Sequence, residues 1–336
     1  MPTIYDIAKK TGFSITTVSR ALNNYTDVSQ KTKKLILEAV QEMDYYPNSV
    51  ARTLTTKKSW ALGIIFVEDL GVGFKHPFFN SVIEGFKKSA EQCGYDLIFL
   101  TRNVGGVQKS YLDHAYHRGV DGIAVVSSNY DDVEIEKIME SSLPNVVIDL
   151  YSSKSSVVYS DNFHGSELAI DYLYSLGHRK IAHIAGHEKT FVGLERLRGF
   201  ISAMEQHKLD IPESYITDGG LFSTESGYNA MKALLQLDDR PTAIYAAGDN
   251  MAFGAMKAIT EAGLKVPDDF SVIGFDDIEL AEHTSPALTT IRQDMDRIGE
   301  KAAEVLLKQI NTKVKEVSVS TIPVTLVERD STRSIN

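Results

Sequence analysis

Ser14-Ile15-Thr16-Thr17-Val18-Ser19-Arg20-Ala21-Leu22 is the stretch that decides the fold. Val18, Ala21 and Leu22 fall on one side of a helix, and Ser14 is a capping residue placed to start it. Upstream, Thr3-Ile4-Tyr5-Asp6 has the pattern of a capping box that opens a first helix, which Gly12 stops. Only Gly12 and Phe13 separate the two helices, the tight connection of a helix-turn-helix. Ile7 and Ala8 supply the first helix's inner face, and Ala8 is small enough for a close crossing. Ser29 then caps a third helix, in which Ile36, Ala39, Val40 and Met43 form one apolar stripe.

With Val18, Ala21 and Leu22 turned inward, Ile15, Thr16, Thr17, Ser19 and Arg20 face outward near the helix start, where a recognition helix presents side chains to a DNA major groove. Arg20 suits a bidentate bond to a guanine edge, Thr16 can donate or accept, and Ile15 can touch a thymine methyl. Tyr5, Ser14, Thr17, Ser19, Asn23, Ser29 and Lys34 are better suited to phosphates. A solvated helix face with ordinary caps accounts for any one of these residues taken singly.

Charge supports the DNA reading. The chain of 336 residues carries a net charge of -10, which divides unevenly. Residues 1–58 hold nine Lys/Arg against five Asp/Glu, and the remainder holds 26 against 40. A basic head of +4 joined to an acidic body of -14 places the affinity for phosphate at one end.

Pro47-Asn48-Ser49-Val50-Ala51-Arg52-Thr53-Leu54 has a fixed entry and an Asn cap, yet is too short for a stable lone helix. It reads as a hinge helix that orders on DNA. Leu54 at its end is a candidate wedge for the minor groove, or else a hydrophobic contact with the body.

From Ala61 onward, short apolar runs alternate with amphipathic helices. Leu62 to Val67, Leu97 to Leu100, Gly122 to Val126 and Val146 to Asp149 read as strands, with helices including Phe79 to Gln92 and Val133 to Ser141. A second set has strands at Ile181 to Ala185, Ala243 to Ala247 and Val272 to Phe275, and helices at Glu167 to Ser175, Gly193 to His207, Tyr228 to Leu235 and Met251 to Ala262. Such alternation makes parallel, doubly wound sheets, and two sets make two lobes. Ligands in such sheets lie beyond the carboxyl ends of the strands, where this chain carries Asp149, Gly248-Asp249 and Phe275-Asp276. Phe79, Asp149, Arg196, Phe222 and Asp276 supply the donors, acceptors and flat apolar surface that a neutral polyol needs. Each aspartate also fits a helix cap and each aromatic a core position; Asp249 reads first as the cap of the helix from Met251.

The head segments Thr3 to Ala8, Ser14 to Leu22, Val28-Ser29 and Tyr46 to Leu54 together resemble, without a gap, the signature head of the LacI/GalR family of bacterial repressors. In the body, His76-Pro77-Phe78-Phe79, Arg196 to Phe200, Gly248-Asp249 and Val272 to Asp277 are similar to motifs of the same family. The resemblance implies an all-α helix-turn-helix head with hinge helix, residues 1–58, and a two-lobed α/β effector domain of the periplasmic-binding-protein type, residues 59–336. It implies lobes of about 60–160 with 291–320, and 161–290 with 321–330. Chain crossings are expected near Tyr159 to Asn162, Thr289 to Ile291 and Ser320 to Ile322. Also implied are a homodimer on a near-palindromic double-stranded DNA operator, Ile15, Thr16 and Arg20 at base-reading positions, Leu54 at the intercalating position, and Arg196 and Asp276 at effector positions. Asp27 departs from the basic or imidazole residue some members have, Gly248 replaces a polar residue of some relatives, and an extended Glu68 to Lys75 segment precedes the first body motif.

Enzymatic readings fare worse. Gly71-Val72-Gly73 lacks the third glycine of a dinucleotide loop, no Gly-Lys-Ser/Thr sequence occurs, and His183 and His187 flank a strand-like run that would not converge them. His114 and His117 read as a solvated surface pair, and the single cysteine, Cys93, as a small residue packed in a helix. No cofactor or metal is called for. The start lacks a secretory pattern and no apolar run is long enough to span a bilayer, so a cytoplasmic protein is expected. A repressor of carbohydrate-utilisation genes governed by a sugar or sugar phosphate is the first expectation. The alternative is a purine- or nucleoside-responsive repressor of the same family, and a phosphocarrier coregulator stays an open partner.

Overall fold

The computed structural model describes residues 2–23, 25–46, 58–67, 73–127 and 132–335, and the chain divides into a unit ending at Trp60 and a second from Ala61. In the first unit, helices α1 (Ile4–Thr11), α2 (Ile15–Leu22) and α3 (Gln30–Glu42) enclose a core of Ile7, Val18, Ala21 and Ile36. Local chemistry sets each boundary. Thr3 and Asp6 form the reciprocal capping box, Gly12 ends α1 in the left-handed region at φ 75°, and the Ser14 and Ser29 hydroxyls accept the amides of Thr17 and Thr32. The hinge segment Pro47 to Leu54, with its candidate wedge Leu54, lies outside the described residues, as do Glu68 to Val72.

Among the described residues the second unit holds two six-stranded sheets. In chain order the elements of the first lobe are β1 (Ala61–Phe66), α4 (Pro77–Gln92), β2 (Asp96–Phe99), a small hairpin of β3 (Asn103–Val104) and β4 (Val107–Gln108), α5 (Tyr111–Arg118), β5 (Gly122–Ser127), α6 (Val133–Glu140), β6 (Asn145–Ile148) and β7 (Ser156–Ser160). The second lobe follows with α7 (Asn162–Ser175), β8 (Ile181–Ala185), α8 (Phe191–Gln206), β9 (Ile216–Asp218), α9 (Thr224–Leu234), β10 (Ala243–Ala246), α10 (Asp249–Glu261), β11 (Ser271–Asp276), α11 (Leu280–His283) and β12 (Thr289–Gln293). The chain then returns through α12 (Met295–Thr312) and β13 (Val319–Ile322) to the first lobe and ends with β14 (Val324–Val327) in the second. Strand order is β13-β7-β6-β5-β1-β2, all parallel, in one sheet, and β14-β12-β11-β10-β8-β9 in the other, where β14 alone runs antiparallel.

Helices cover both faces of each sheet, which is why the central strands are apolar without alternation: Leu62, Ile64 and Ile65 of β1 and Val146 to Ile148 of β6 are all buried. Helices α4 and α12 pack closely because Gly85 and Gly299 face each other's backbone; a Cβ on Gly85 would sit 2.2 Å from the Asp296 carbonyl oxygen. The crossings fall at Asp161, Asp294 and Pro323. Thr289 to Ile291, expected at the second crossing, lie inside β12, and Ser320 to Ile322, expected at the third, lie inside β13.

Two minor expectations are corrected. Cys93 is exposed at the end of α4 instead of packed. His114 is buried: its Nδ1 lies 2.9 Å from the Thr101 carbonyl oxygen, and its Nε2 accepts from Arg118 Nε at 3.2 Å. Spacing alone put both histidines on α5 but could not say which side of that helix meets the sheet. No helix among the described residues is long and apolar enough to cross a membrane.

Candidate functional site

The head presents its candidate DNA-contacting residues along the start of α2 and the helix caps. Ser14 Oγ accepts the Thr17 amide at 3.1 Å, which fixes the first turn and leaves Ile15 and Thr16 exposed while Val18 and Ala21 are buried. Arg20, half-exposed, projects from the last turn. Tyr5 is 67% exposed, and Ser29 and Lys34 lie exposed at the start of α3. Thr17, Ser19 and Asn23 are half-buried, and the Asn23 amide donates to the Ser19 carbonyl at 2.9 Å. Ser14, Asn23 and Ser29, all expected at phosphates, therefore also serve as helix caps.

In the second unit, Arg196 on α8 organises a buried polar centre. Its Nε donates to Asn162 Oδ1 at 2.8 Å, its Nη1 donates to the Ala247 carbonyl, and the same nitrogen lies 3.6 Å from Asp276 Oδ1. The guanidinium carbon sits 3.7 Å from the centre of the Phe275 ring and 5.7 Å from that of Phe222. Asp276 also accepts from Gln293 Nε2 at 2.6 Å and from the Asp249 amide. Arg196, Phe222 and Asp276 are thus brought together. Asp149, at the end of β6 in the other lobe, lies within electrostatic reach of Arg196 and Asp276. Phe79 belongs to an aromatic cluster with Phe66, Phe78 and His76, its ring 5.1 Å from that of His76, and His76 in turn acts on Asp276.

Three members of this group share an uncommon backbone conformation, found also at Asp44, Trp60, Lys208, Asp277 and Lys313. Asp149, Phe222 and Asp276 have φ of 53°, 62° and 122°, in the left-handed half of the map that non-glycine residues seldom occupy. Such positions gather where a site demands an orientation that ordinary backbone does not give. Gly186 makes room for one of them, since a Cβ there would stand 2.3 Å from the Phe222 ring. A neighbouring cavity of about 690 Å³ is lined by residues that include His76, Pro77, Phe222, Ser223, Asn250 and Leu280.

Asp249 does not cap its helix. It is the first helical residue, Gly248 is the cap, and the fully buried carboxyl accepts from the Thr290 hydroxyl at 2.5 Å and the Ile278 amide at 2.9 Å. Burial, with Asp276 beside it, holds its pKa well above the ordinary carboxylate range; Asp276 is also raised by burial, against the pull of Arg196. Between them Asp276 is the better anion, because Arg196, Gln293 and a helix-terminal amide stabilise its charge. Burial lifts Asp149 to about 7, Arg196 opposing and Asp276 adding to the rise, and its buried Oδ1 accepts no hydrogen bond from the described residues.

Comparison with known proteins decides the family. A model described as bacterial regulatory proteins, lacI family, matches residues 3–48, and one for a periplasmic binding protein-like domain matches residues 170–332. The HTH-type transcriptional repressor PurR of Proteus mirabilis is 37% identical over 337 residues, covering 98% of this chain and 97% of that protein. The one of Vibrio parahaemolyticus is 35% identical and is covered in full. The chain belongs to the LacI family of bacterial regulatory proteins.

This LacI-family repressor is also similar to solved structures. The lac repressor dimer bound to operator and the anti-inducer ONPF matches with TM-score 0.85 at 29% identity, over 99% of each chain. The CelR–cellobiose complex matches with TM-score 0.72 at 27% identity, over 98% of this chain and 100% of that one. A ribose-bound regulator from Enterococcus faecium matches with TM-score 0.69 at 29% identity, over 82% of this chain and 100% of that one. The relatives are DNA-binding repressors and not enzymes.

Sequence reasoning missed Asn162, Gln293 and Thr290 in this centre. Gln293 and Asn162 each adjoin a crossing, Asp294 and Asp161, so the carboxyl-end rule applied to β12 and β7 would have found them.

Proposed function

We propose that this LacI-family repressor works as a homodimer whose operator affinity is set by a small, uncharged, ring-shaped effector held between the lobes, with a purine base or nucleoside as its chemical class. The arrangement of Phe222, Arg196, Asp276 and Asp149 carries the reading. A flat ring can lie on an aromatic face while an anionic carboxylate takes its N–H, a neutral acid donates to a ring acceptor, and the guanidinium bonds an exocyclic oxygen. The run of relatives named PurR at 35–38% identity over nearly full length supports this class. It moves the purine alternative ahead of the sugar expected first. A sugar is the second reading, favoured by the two similar structures with cellobiose and ribose bound.

In this reading Ile15, Thr16 and Arg20 touch bases, the caps and Lys34 touch phosphates, and Leu54 wedges the minor groove. Ligand and operator bias one two-state element, so each must change the other's affinity by the same factor. The test is thermal unfolding of the full chain with hypoxanthine, guanine, adenosine, ribose and cellobiose, followed by operator titrations with any stabilising compound. A purine that raises the midpoint by several degrees and shifts operator affinity supports the reading. Stabilisation by a sugar alone replaces it with the second. Leu54→Ala should weaken operator binding and shrink the shift without changing ligand affinity of the free protein.

A further inference from the structure

We propose that Asp27 is a specificity-determining residue of the head: with Tyr25 it fixes the orientation of Arg20, so that the guanidinium addresses a base edge instead of the nearest phosphate. The proposal rests on the base-reading role given above to Arg20. Arg20 Nη1 lies 2.8 Å from Asp27 Oδ2, and both side chains are about half exposed. On another side, the Arg20 guanidinium carbon is 5.5 Å from the centre of the Tyr25 ring. Tyr25 is itself tied to the same turn, because its amide donates to the Arg20 carbonyl at 3.1 Å. Tyr25 and Asp27, both between α2 and α3, therefore hold the side chain together.

An ion pair this exposed adds little to folding. Its carboxylate does have a cost on a surface that meets phosphates, since it repels DNA of any sequence. Its gain is orientation. A long arginine left to itself swings to whichever phosphate is nearest and contributes sequence-independent affinity. Gripped by Asp27 and Tyr25, it keeps its remaining N–H donors aligned for guanine O6 and N7. Asp27 thus lowers general affinity and raises discrimination.

The experiment selects bound duplexes from a randomised library with the full-length protein and sequences them, for wild type, Arg20→Ala, Asp27→Asn, Asp27→Glu and the Arg20→Ala/Asp27→Asn double variant. One random duplex is also titrated across salt. In the wild type, Arg20 should impose a guanine preference at one position of each half-site, which Arg20→Ala abolishes. Asp27→Asn should bind the random duplex several-fold more tightly, with a salt dependence steeper by roughly one ion per head. Its guanine preference at that position should fall by about tenfold. Asp27→Glu should keep most of it, and Asp27→Asn should change no preference in the Arg20→Ala background. Circular dichroism checks that the helices are intact, and Asp27→Ser stands in if Asp27→Asn fails to fold. Full retention of the guanine preference in Asp27→Asn overturns the proposal. Equal loss on all duplexes in Arg20→Ala overturns the base-reading role itself, and the proposal with it.

Discussion

Arg196 and Asn162 are joined by a buried hydrogen bond of 2.8 Å, and Asn162 is the first helical residue after the chain's first passage between the lobes. The Asn162 amide donates in turn to the Ser160 carbonyl on the far side of that passage, and its own carbonyl accepts from Ser166, which bonds the Tyr245 hydroxyl at 2.7 Å. The arginine at the centre of the proposed effector site is thus fastened to the first of the connections between the lobes, which a closure of the lobes on a ligand would have to bend.

Asn162→Ala should therefore do two things. It leaves a buried guanidinium N–H without its acceptor, with a stability loss of about 1–3 kcal/mol in urea denaturation. It should also reduce the factor by which effector changes operator affinity. An unchanged factor alongside the stability loss would confine Asn162 to a packing role.

Asp149 gives a pH dependence of unusual sign. Its carboxyl titrates at about 7 in the folded protein, raised first by burial, against roughly 4 in an unfolded chain. Between those values the folded protein holds a proton that the unfolded chain has released, so stability falls as pH rises through the window and is level above it. The total is on the order of 4 kcal/mol. Asp149→Asn should match the wild type near pH 4 and exceed it at pH 8. Parallel stability curves for the two proteins would contradict the assignment.

His183 acts in the opposite sense. Stacked between Phe200 and Tyr245, with Nδ1 3.0 Å from the Tyr245 carbonyl oxygen, it is driven by burial down to about 4. Below roughly pH 6.5 the unfolded chain takes up a proton that the folded one refuses, so stability is lost as pH falls toward about 4. The loss is on the order of 3 kcal/mol. His183→Leu should flatten this acid limb, as followed by denaturation midpoints at a series of pH values; a limb as steep as that of the wild type would show that other groups set it.

Gly248 separates binding from folding. Its φ of -166° is open to any residue, and a Cβ there would stand 3.4 Å from the Phe222 ring and 3.6 Å from Asp276 Oδ2. Gly248→Asn should fold with a stability within about 1 kcal/mol of wild type, while its longer side chain fills the space beside Phe222 and lowers effector affinity by tenfold or more, read by calorimetry. Unaltered affinity for the stabilising compound would place the effector elsewhere in the cleft.

How far these features could be read in advance depended on how local their causes are. The capping box at Thr3, the left-handed Gly12 and the inward triad of α2 are contained within a few residues, so the head was legible in outline. Central parallel strands such as β1 and β6 announce themselves as unbroken apolar runs. β7, Ser156 to Ser160, does not, because three of its five residues are hydroxyl-bearing and pair with partners more than 150 residues away. Asp249 misled for a related reason: a short acid before a helix is the mark of a cap. Only the arrival of Thr290 and Ile278 from distant segments makes it a buried junction. The pairing of Arg20 with Asp27 spans seven positions and a turn, and the departure at Asp27 gave no hint of its partner.

The three passages between lobes also impose an order on synthesis. Neither lobe is a continuous segment: the first lacks α12 and β13, and the second its edge strand β14, until residues beyond Met295 have been made. The DNA-reading helices, complete by Glu42, precede them by some 250 residues. During translation the helix-turn-helix thus leaves the ribosome long before either lobe can be completed. A nascent or prematurely terminated chain ending before Val319 would carry a folded helix-turn-helix head with neither lobe complete, and so without the effector site proposed above.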